Sequence, residues 1–87
     1  MAKKIRLMIV DDHSTIRAGL AHILSAEPDI DVVGEAEDGQ AGIEKALELK
    51  PDVIIMDVSM PRCSGLDATL SIKERLPDTK ILIFTVS

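Results

Sequence analysis

Three acidic residues stand where short apolar runs stop: Asp11 and Asp12 close the run Ile5-Arg6-Leu7-Met8-Ile9-Val10, and Asp57 closes Val53-Ile54-Ile55-Met56. If the fold gathers all three, their repulsion demands a compensating cation, since two like charges about 4 Å apart repel by roughly 4 kcal/mol at an effective dielectric of 20. Carboxylate oxygens, completed by water and by an oxygen of a bound phosphate, are the ligand set that Mg²⁺ prefers. Such a cluster suits phosphoryl chemistry. Each residue also has a plainer use: an Asp-Asp pair ahead of a helix caps it and complements its dipole, and Asp57 can simply end a strand. Thr85 closes a later apolar run, where its hydroxyl can meet a phosphoryl oxygen or merely serve β propensity.

Whether these groups meet depends on the elements that carry them. Pro28, Pro51 and Pro77 each follow a helical pattern and precede a β-rich run, because proline cannot continue a helix and biases the residue before it toward extended backbone. The reading is four strands, over residues 5–10, 31–36, 53–56 and 81–85, alternating with three helices, over 14–25, 40–49 and 66–76. Asp12 or Ser14 is placed to cap the first helix, which turns Ile16, Leu20, Ile23 and Leu24 to one face. The second helix buries Ile43, Ala46 and Leu47; the third offers Leu66, Thr69, Ile72 and Leu76, with Leu70 off the stripe. The runs ending at Met56 and Phe84 lack alternation, as parallel strands covered on both faces do. Alternating units joined by right-handed crossovers give an α/β fold, an open and doubly wound parallel sheet with its ligand site at the carboxyl ends of the strands. An order 2-1-3-4 would make the first and third strands neighbours about 4.8 Å apart and bring the three acids to one rim.

Composition narrows the function. The 87 residues allow a single domain, and a hydrophobic fraction of 46% supports a packed core. Fifteen acidic against ten basic residues leave a net charge of −5, the wrong sign for neutralising phosphates, and Phe84 alone provides no stacking platform, so direct nucleic-acid binding by this chain is not expected. Cys63, the single cysteine, supports neither an internal disulfide nor a zinc site, and reads as an inert loop thiol. The apolar run after Lys3-Lys4 is interrupted by Arg6 and stopped by Asp11-Asp12, too short for a signal peptide or a membrane span; a cytoplasmic location is expected. Neither Gly-x-Gly-x-x-Gly nor a Gly-Lys-Ser/Thr loop occurs, so no nucleotide site is read. His13 follows the acids and could tune the site, but reads first as a solvated turn histidine, and His22 on the first helix reads as plain surface.

Val10-Asp11-Asp12-His13, then Asp57-Val58-Ser59-Met60-Pro61 with Gly65, then Ile83-Phe84-Thr85 resemble, along the whole chain, the receiver domain of bacterial two-component response regulators. Ile16-Arg17-Ala18-Gly19-Leu20 and Val32-Val33-Gly34-Glu35-Ala36 are similar to the LuxR-type (NarL/FixJ-like) branch, whose members carry a helix-turn-helix output domain. The resemblance implies a flavodoxin-like sheet of order 2-1-3-4, with a fifth strand beyond. It implies that Asp57 is the phosphoacceptor, taking a phosphoryl group from a sensor histidine kinase. Asp12, Asp57 and the backbone carbonyl of Ser59 would bind Mg²⁺, and Asp11 would support the ion directly or through water. Thr85 would be the switch hydroxyl, with Met60-Pro61 and Gly65 shaping the loop beside the acceptor. In this reading the chain is no enzyme, beyond hydrolysing its own aspartyl phosphate.

Receivers of this kind have five strands and five helices, whereas residues 1–87 reach only the end of the fourth strand. The expectation is one receiver domain over 1–87, incomplete at its C-terminus and without an output domain, in which the lysine and the aromatic switch partner of the last strand have no counterpart. An apolar fourth strand with one edge open is a template for pairing with another chain, and a first helix that alone covers its face of the sheet leaves apolar surface exposed. A stable compact monomer is therefore not expected: the polypeptide either self-associates, as a dimer or higher with elements exchanged or shared, or is a cut piece of a longer regulator. Two other readings stay open: a self-associating receiver fragment unable to be phosphorylated, and a small Mg²⁺-dependent phosphohydrolase with an aspartate nucleophile. Against the latter, such enzymes show Asp-x-Asp after the first strand, where this chain has adjacent acids and His13, and 87 residues leave no room for a substrate-selecting cap.

Overall fold

Met8, Ile9, Val10, Ile54 and Met56 expose no surface at all, as strands covered on both faces require of their side chains. The computed structural model describes residues 3–60 and 64–84 and places these five side chains on two inner strands, β1 (Ile5–Val10) and β3 (Val53–Asp57). β2 (Ile30–Ala36) and β4 (Lys80–Phe84) flank them, giving a four-stranded parallel sheet in the order β2-β1-β3-β4. Three helices join the strands: α1 (Ser14–Ser25), α2 (Gly39–Leu49) and α3 (Gly65–Arg75). The architecture is the expected flavodoxin-like one. α1 begins and ends where the hydrophobic pattern does, while α2 and α3 start one residue early because Asp38 and Ser64 cap them, accepting from the N–H of Ala41 at 2.8 Å and of Asp67 at 3.1 Å.

α2 and α3 pack against each other over one face, enclosing Met8, Val10, Ala36, Ala46, Ile54, Met56, Met60, Ala68 and Ile72. Small residues set how near these helices come. A Cβ on Gly42 would lie 3.1 Å from both methyls of Val10, so α2 rests directly on the central strand. α2 buries Ala46 as expected, but Gly39 and Gly42 take the innermost places and leave Ile43 and Leu47 half-buried. In α3 the buried stripe is Gly65, Ala68 and Ile72, whereas Leu66 is 57% exposed. Helical spacing marks a stripe, but close approach to β3 at the start of α3 requires a glycine there, at Gly65. Leu70 lies off the stripe, as read.

α1 lies against β1 and β2 and contributes no fully buried residue. Only two strands lie beneath it, so the face it covers is narrow: Ile16, Leu20 and Leu24 are half-buried, and Ile23 is 64% exposed, contrary to expectation. Neither Asp12 nor Ser14 caps α1. The N-cap is His13, with no side-chain cap bond, because the local acceptor, Asp11 Oδ1, takes the N–H of His13 itself at 2.8 Å. Among the described residues no helix is long and apolar enough to cross a membrane.

Candidate functional site

The pairing of β1 with β3 runs from Leu7 opposite Val53 to Val10 opposite Met56. One step further, Asp11 meets Asp57 across the carboxyl rim. Both are locked by the ladders continuing past them: the N–H of Asp11 donates to the carbonyl of Ala36 at 3.0 Å, and that of Val58 to the carbonyl of Phe84 at 3.3 Å. Both acids are wholly buried. Asp57 Oδ1 accepts from the N–H of Ser59 at 3.0 Å, and Asp11 Oδ1 accepts from the N–H of His13. The remaining oxygens, Asp11 Oδ2 and Asp57 Oδ2, are buried with no hydrogen-bond partner.

Asp12 reaches the same rim from the loop between β1 and α1, and His13 completes it. The His13 Nδ1 lies 2.8 Å from Asp11 Oδ1, 3.2 Å from Asp12 Oδ1 and 3.7 Å from Asp57 Oδ2. One ligand atom from each of Asp11, Asp12, His13 and Asp57 lies within 4.8 Å of the others. The loop is held from above by Arg17, whose guanidinium donates to the carbonyl of Asp11 at 2.7 Å and pairs with Glu35 at 3.3 Å.

The electrostatics follow from this crowding. Burial pushes the Asp57 carboxyl above its ordinary value; the charges of Asp11 and Asp12 push the same way, and the Ser59 N–H opposes them. The hydrogen bond to Asp11 raises the His13 imidazolium above the usual histidine range, with the fields of Asp12, Asp11 and Asp57 adding to it against partial desolvation. Two orphaned buried oxygens among three carboxylates and one imidazole fit a divalent cation: the ion would satisfy both oxygens and the excess negative charge together.

Asp11, Asp12 and Asp57 are thus brought together as read from the sequence, and Ser59 stands beside the acceptor through its backbone. Thr85, Pro61 and Cys63 lie outside the described residues. The sequence gives His13 only a possible tuning role and Arg17 none at the site. Each carries a signal in hindsight: His13 adjoins the acid pair at a helix start, and Arg17 follows one turn later, so both fall back over the end of β1. Gly65 earns its place by contact. A Cβ there would collide with the carbonyl oxygen of Asp57 and lie 2.8 Å from the Cα of Val58, so only glycine lets the start of α3 press against the acceptor strand.

Comparison with known proteins bears on these features directly. The family model of the response regulator receiver domain matches residues 7–87. The chain is 49% identical over 81 residues to the transcriptional regulatory protein LiaR of Bacillus subtilis, an alignment covering 93% of this chain and 38% of LiaR. Its backbone superposes on the response regulator domain of Thermotoga maritima CheB with a TM-score of 0.91, at 42% identity over 95% of this chain and 61% of that one. A LuxR-family two-component response regulator from Aurantimonas sp. SI85-9A1 gives the same TM-score, at 34% identity over 98% of this chain and 61% of that one.

Proposed function

Because the chain belongs to the response regulator receiver family, with LuxR-family regulators among its relatives, we propose that Asp57 is a phosphoacceptor that takes a phosphoryl group from a sensor histidine kinase. The observation that carries this reading is the pair of buried, unpartnered oxygens on Asp11 and Asp57 at adjacent strand ends. Asp11, Asp12 and Asp57, with the backbone carbonyl of Ser59, would hold Mg²⁺. When bound, the cation neutralises negative charge on the group being transferred.

The chain's own residues supply the rest. The Ser59 N–H fixes the plane of the Asp57 carboxylate, so its nucleophilic oxygen is aimed before a donor arrives. An oxygen of Asp57 forms a bond to phosphorus as the phosphorus–nitrogen bond of the donor phosphohistidine breaks; the leaving imidazole keeps that electron pair and takes a proton. Gly65 holds α3 against the acceptor backbone, which couples a change at Asp57 to a helix. Thr85 is the proposed switch hydroxyl, one residue beyond β4. The wider role, as the cytoplasmic receiver of a transcription regulator with a DNA-binding output domain, is carried over from the relatives as part of this proposal. A further partner is a second copy of the polypeptide, supported by exposed Leu82 and Ile83 on edge strand β4.

Incubation with acetyl phosphate and Mg²⁺ tests the central claim. The expected result is a covalent, acid-stable and base-labile adduct that disappears in Asp57→Asn. Steady turnover of phosphate esters would favour a phosphohydrolase instead, and an unreactive chain would overturn the acceptor role.

A further inference from the structure

The geometry points to His13 as a nitrogen ligand of the rim cation, which makes the site prefer first-row transition-metal ions over Mg²⁺ more strongly than carboxylates alone would. This rests on the reading of the rim as a divalent-cation site and adds to it a fourth protein donor and a selectivity. Ligand atoms about 2.1 Å from one ion stand about 3.0 Å apart as neighbours in an octahedron and about 3.4 Å apart in a tetrahedron. The His13 Nδ1 is 2.8, 3.2 and 3.7 Å from oxygens of Asp11, Asp12 and Asp57. The first two are close to such a separation, the shorter of them now bridged by the hydrogen bond to Asp11, and the third is about 0.3 Å longer than the tetrahedral value, so a small turn of the ring would bring the set around one ion with a nitrogen in place of a fourth oxygen.

Three observations make the nitrogen a donor to the ion and not a neighbour of it. Asp57 Oδ2, the wholly buried and unpartnered oxygen, faces it. His13 is the N-cap of α1, so its position is set by the helix start and by its N–H bond to Asp11, not by a mobile loop. Its side chain keeps 46% of its surface, which leaves the ring free to turn by the small amount that seating an ion requires. Coordination uses the Nδ1 lone pair, so a hydrogen shared between this atom and Asp11 Oδ1 passes to solvent as the ion enters. Affinity of a nitrogen-containing site rises from Mn²⁺ through Co²⁺ to Ni²⁺, and imidazole suits Ni²⁺ and Zn²⁺, whereas Mg²⁺ keeps to oxygen and dehydrates reluctantly; Mn²⁺ is the weakest of the series and serves as the spectroscopic probe. The same rim would therefore hold Mg²⁺ through its carboxylates and the softer ions through carboxylates and His13 together.

The test uses the 87-residue chain with Mn²⁺, Co²⁺ and Mg²⁺ alone, without phosphoryl donor. Pulsed paramagnetic resonance of the Mn²⁺ complex is expected to show coupling to a ¹⁴N nucleus that vanishes in His13→Ala. Calorimetric titration is expected to show the affinity ratio of Co²⁺ to Mg²⁺ falling about tenfold or more in that variant, with Mg²⁺ affinity within about twofold of its starting value. His13→Gln, which keeps a polar group of similar reach, should behave like the alanine variant. Mn²⁺ binding that is lost in Asp57→Asn but shows no ¹⁴N coupling, or an unchanged Co²⁺ to Mg²⁺ ratio in His13→Ala, would overturn the nitrogen ligand while leaving the cation site standing. Divalent binding that survives Asp57→Asn undiminished would overturn both.

Discussion

Asp11 and Asp57 face one another from neighbouring parallel strands, each wholly buried and each with one carboxylate oxygen that no hydrogen bond reaches. Both follow directly on the last β1–β3 pair, Val10 with Met56, so the relationship is fixed by the most buried pairing in the sheet. In the free protein this is an unfavourable arrangement: unpaired buried acceptors forfeit their hydration, and like charges repel. The fold therefore holds an unmet demand for positive charge at the one place where chemistry would use it.

Removing that demand should stabilise the metal-free chain. Asp57→Asn is expected to raise unfolding free energy at pH 7 by about 1–2 kcal/mol in chelator, within the usual cost of an unsatisfied buried polar group. The dependence on pH has a definite sign. The carboxyl of Asp57 is raised on folding, so the folded chain holds its proton longer than the unfolded one. Stability from that proton is fully present below about pH 4, the ordinary carboxyl value, and is lost as pH rises through the raised value. The advantage of the asparagine variant should thus be absent near pH 3, grow with pH and level off toward neutrality. Urea unfolding of both proteins across this range measures it; an advantage that shrank with rising pH would contradict the assigned cause.

Mg²⁺ should reverse the cost. An ion that binds the folded state alone adds about 2.7 kcal/mol at a hundred times its dissociation constant. For a domain of this size each kcal/mol moves the melting temperature by about 4–8 °C. Thermal unfolding with and without Mg²⁺ is expected to show a shift of roughly 10–20 °C for the unaltered chain and less than half of it for Asp57→Asn.

Two glycines offer opposite outcomes for one substitution. At Gly65 a methyl group meets the backbone of Asp57 and Val58, which cannot yield without moving the acceptor; Gly65→Ala should cost about 2–3 kcal/mol and slow adduct formation from acetyl phosphate. At Gly19, inside α1, nothing lies within 4 Å of the added carbon. Gly19→Ala should stabilise by about 0.5–1 kcal/mol through helix propensity, with unchanged reactivity. Denaturant midpoints and adduct rates on both variants decide the matter.

These contrasts show which parts of the molecule were legible beforehand. β1 and β3 could be read because strands buried on both faces have nothing but apolar residues to show, and the acids announced the strand ends by interrupting them. Ile23 and Leu66 are more exposed than their helical spacing suggests, because periodicity says which way a residue faces and not how wide or how near the surface opposite is. His13 is solvent-exposed, as its place in a turn suggests, but its closeness to Asp57, forty-four positions away along the chain, is a tertiary fact with no local signature. The same holds for the caps: Asp12 and Ser14 are suitable by type, and lose to the bond between Asp11 and His13 that only the folded loop creates.

The remaining prediction concerns β4. It is an edge strand that pairs with β3 alone among the described residues, and Leu82 and Ile83 are 60% and 47% exposed on it. Apolar side chains beside unpaired strand edges favour pairing with another copy. Light scattering on the 87-residue polypeptide is expected to return a dimer or larger species at micromolar concentrations. Leu82→Lys together with Ile83→Thr should shift it toward monomer, because a charge and a hydroxyl on the edge make desolvation costly on association, while leaving the Asp11–Asp57 rim in place and its Mg²⁺ affinity unchanged. A monomer before substitution, or an assembly indifferent to both changes, would show that β4 is not the associating surface.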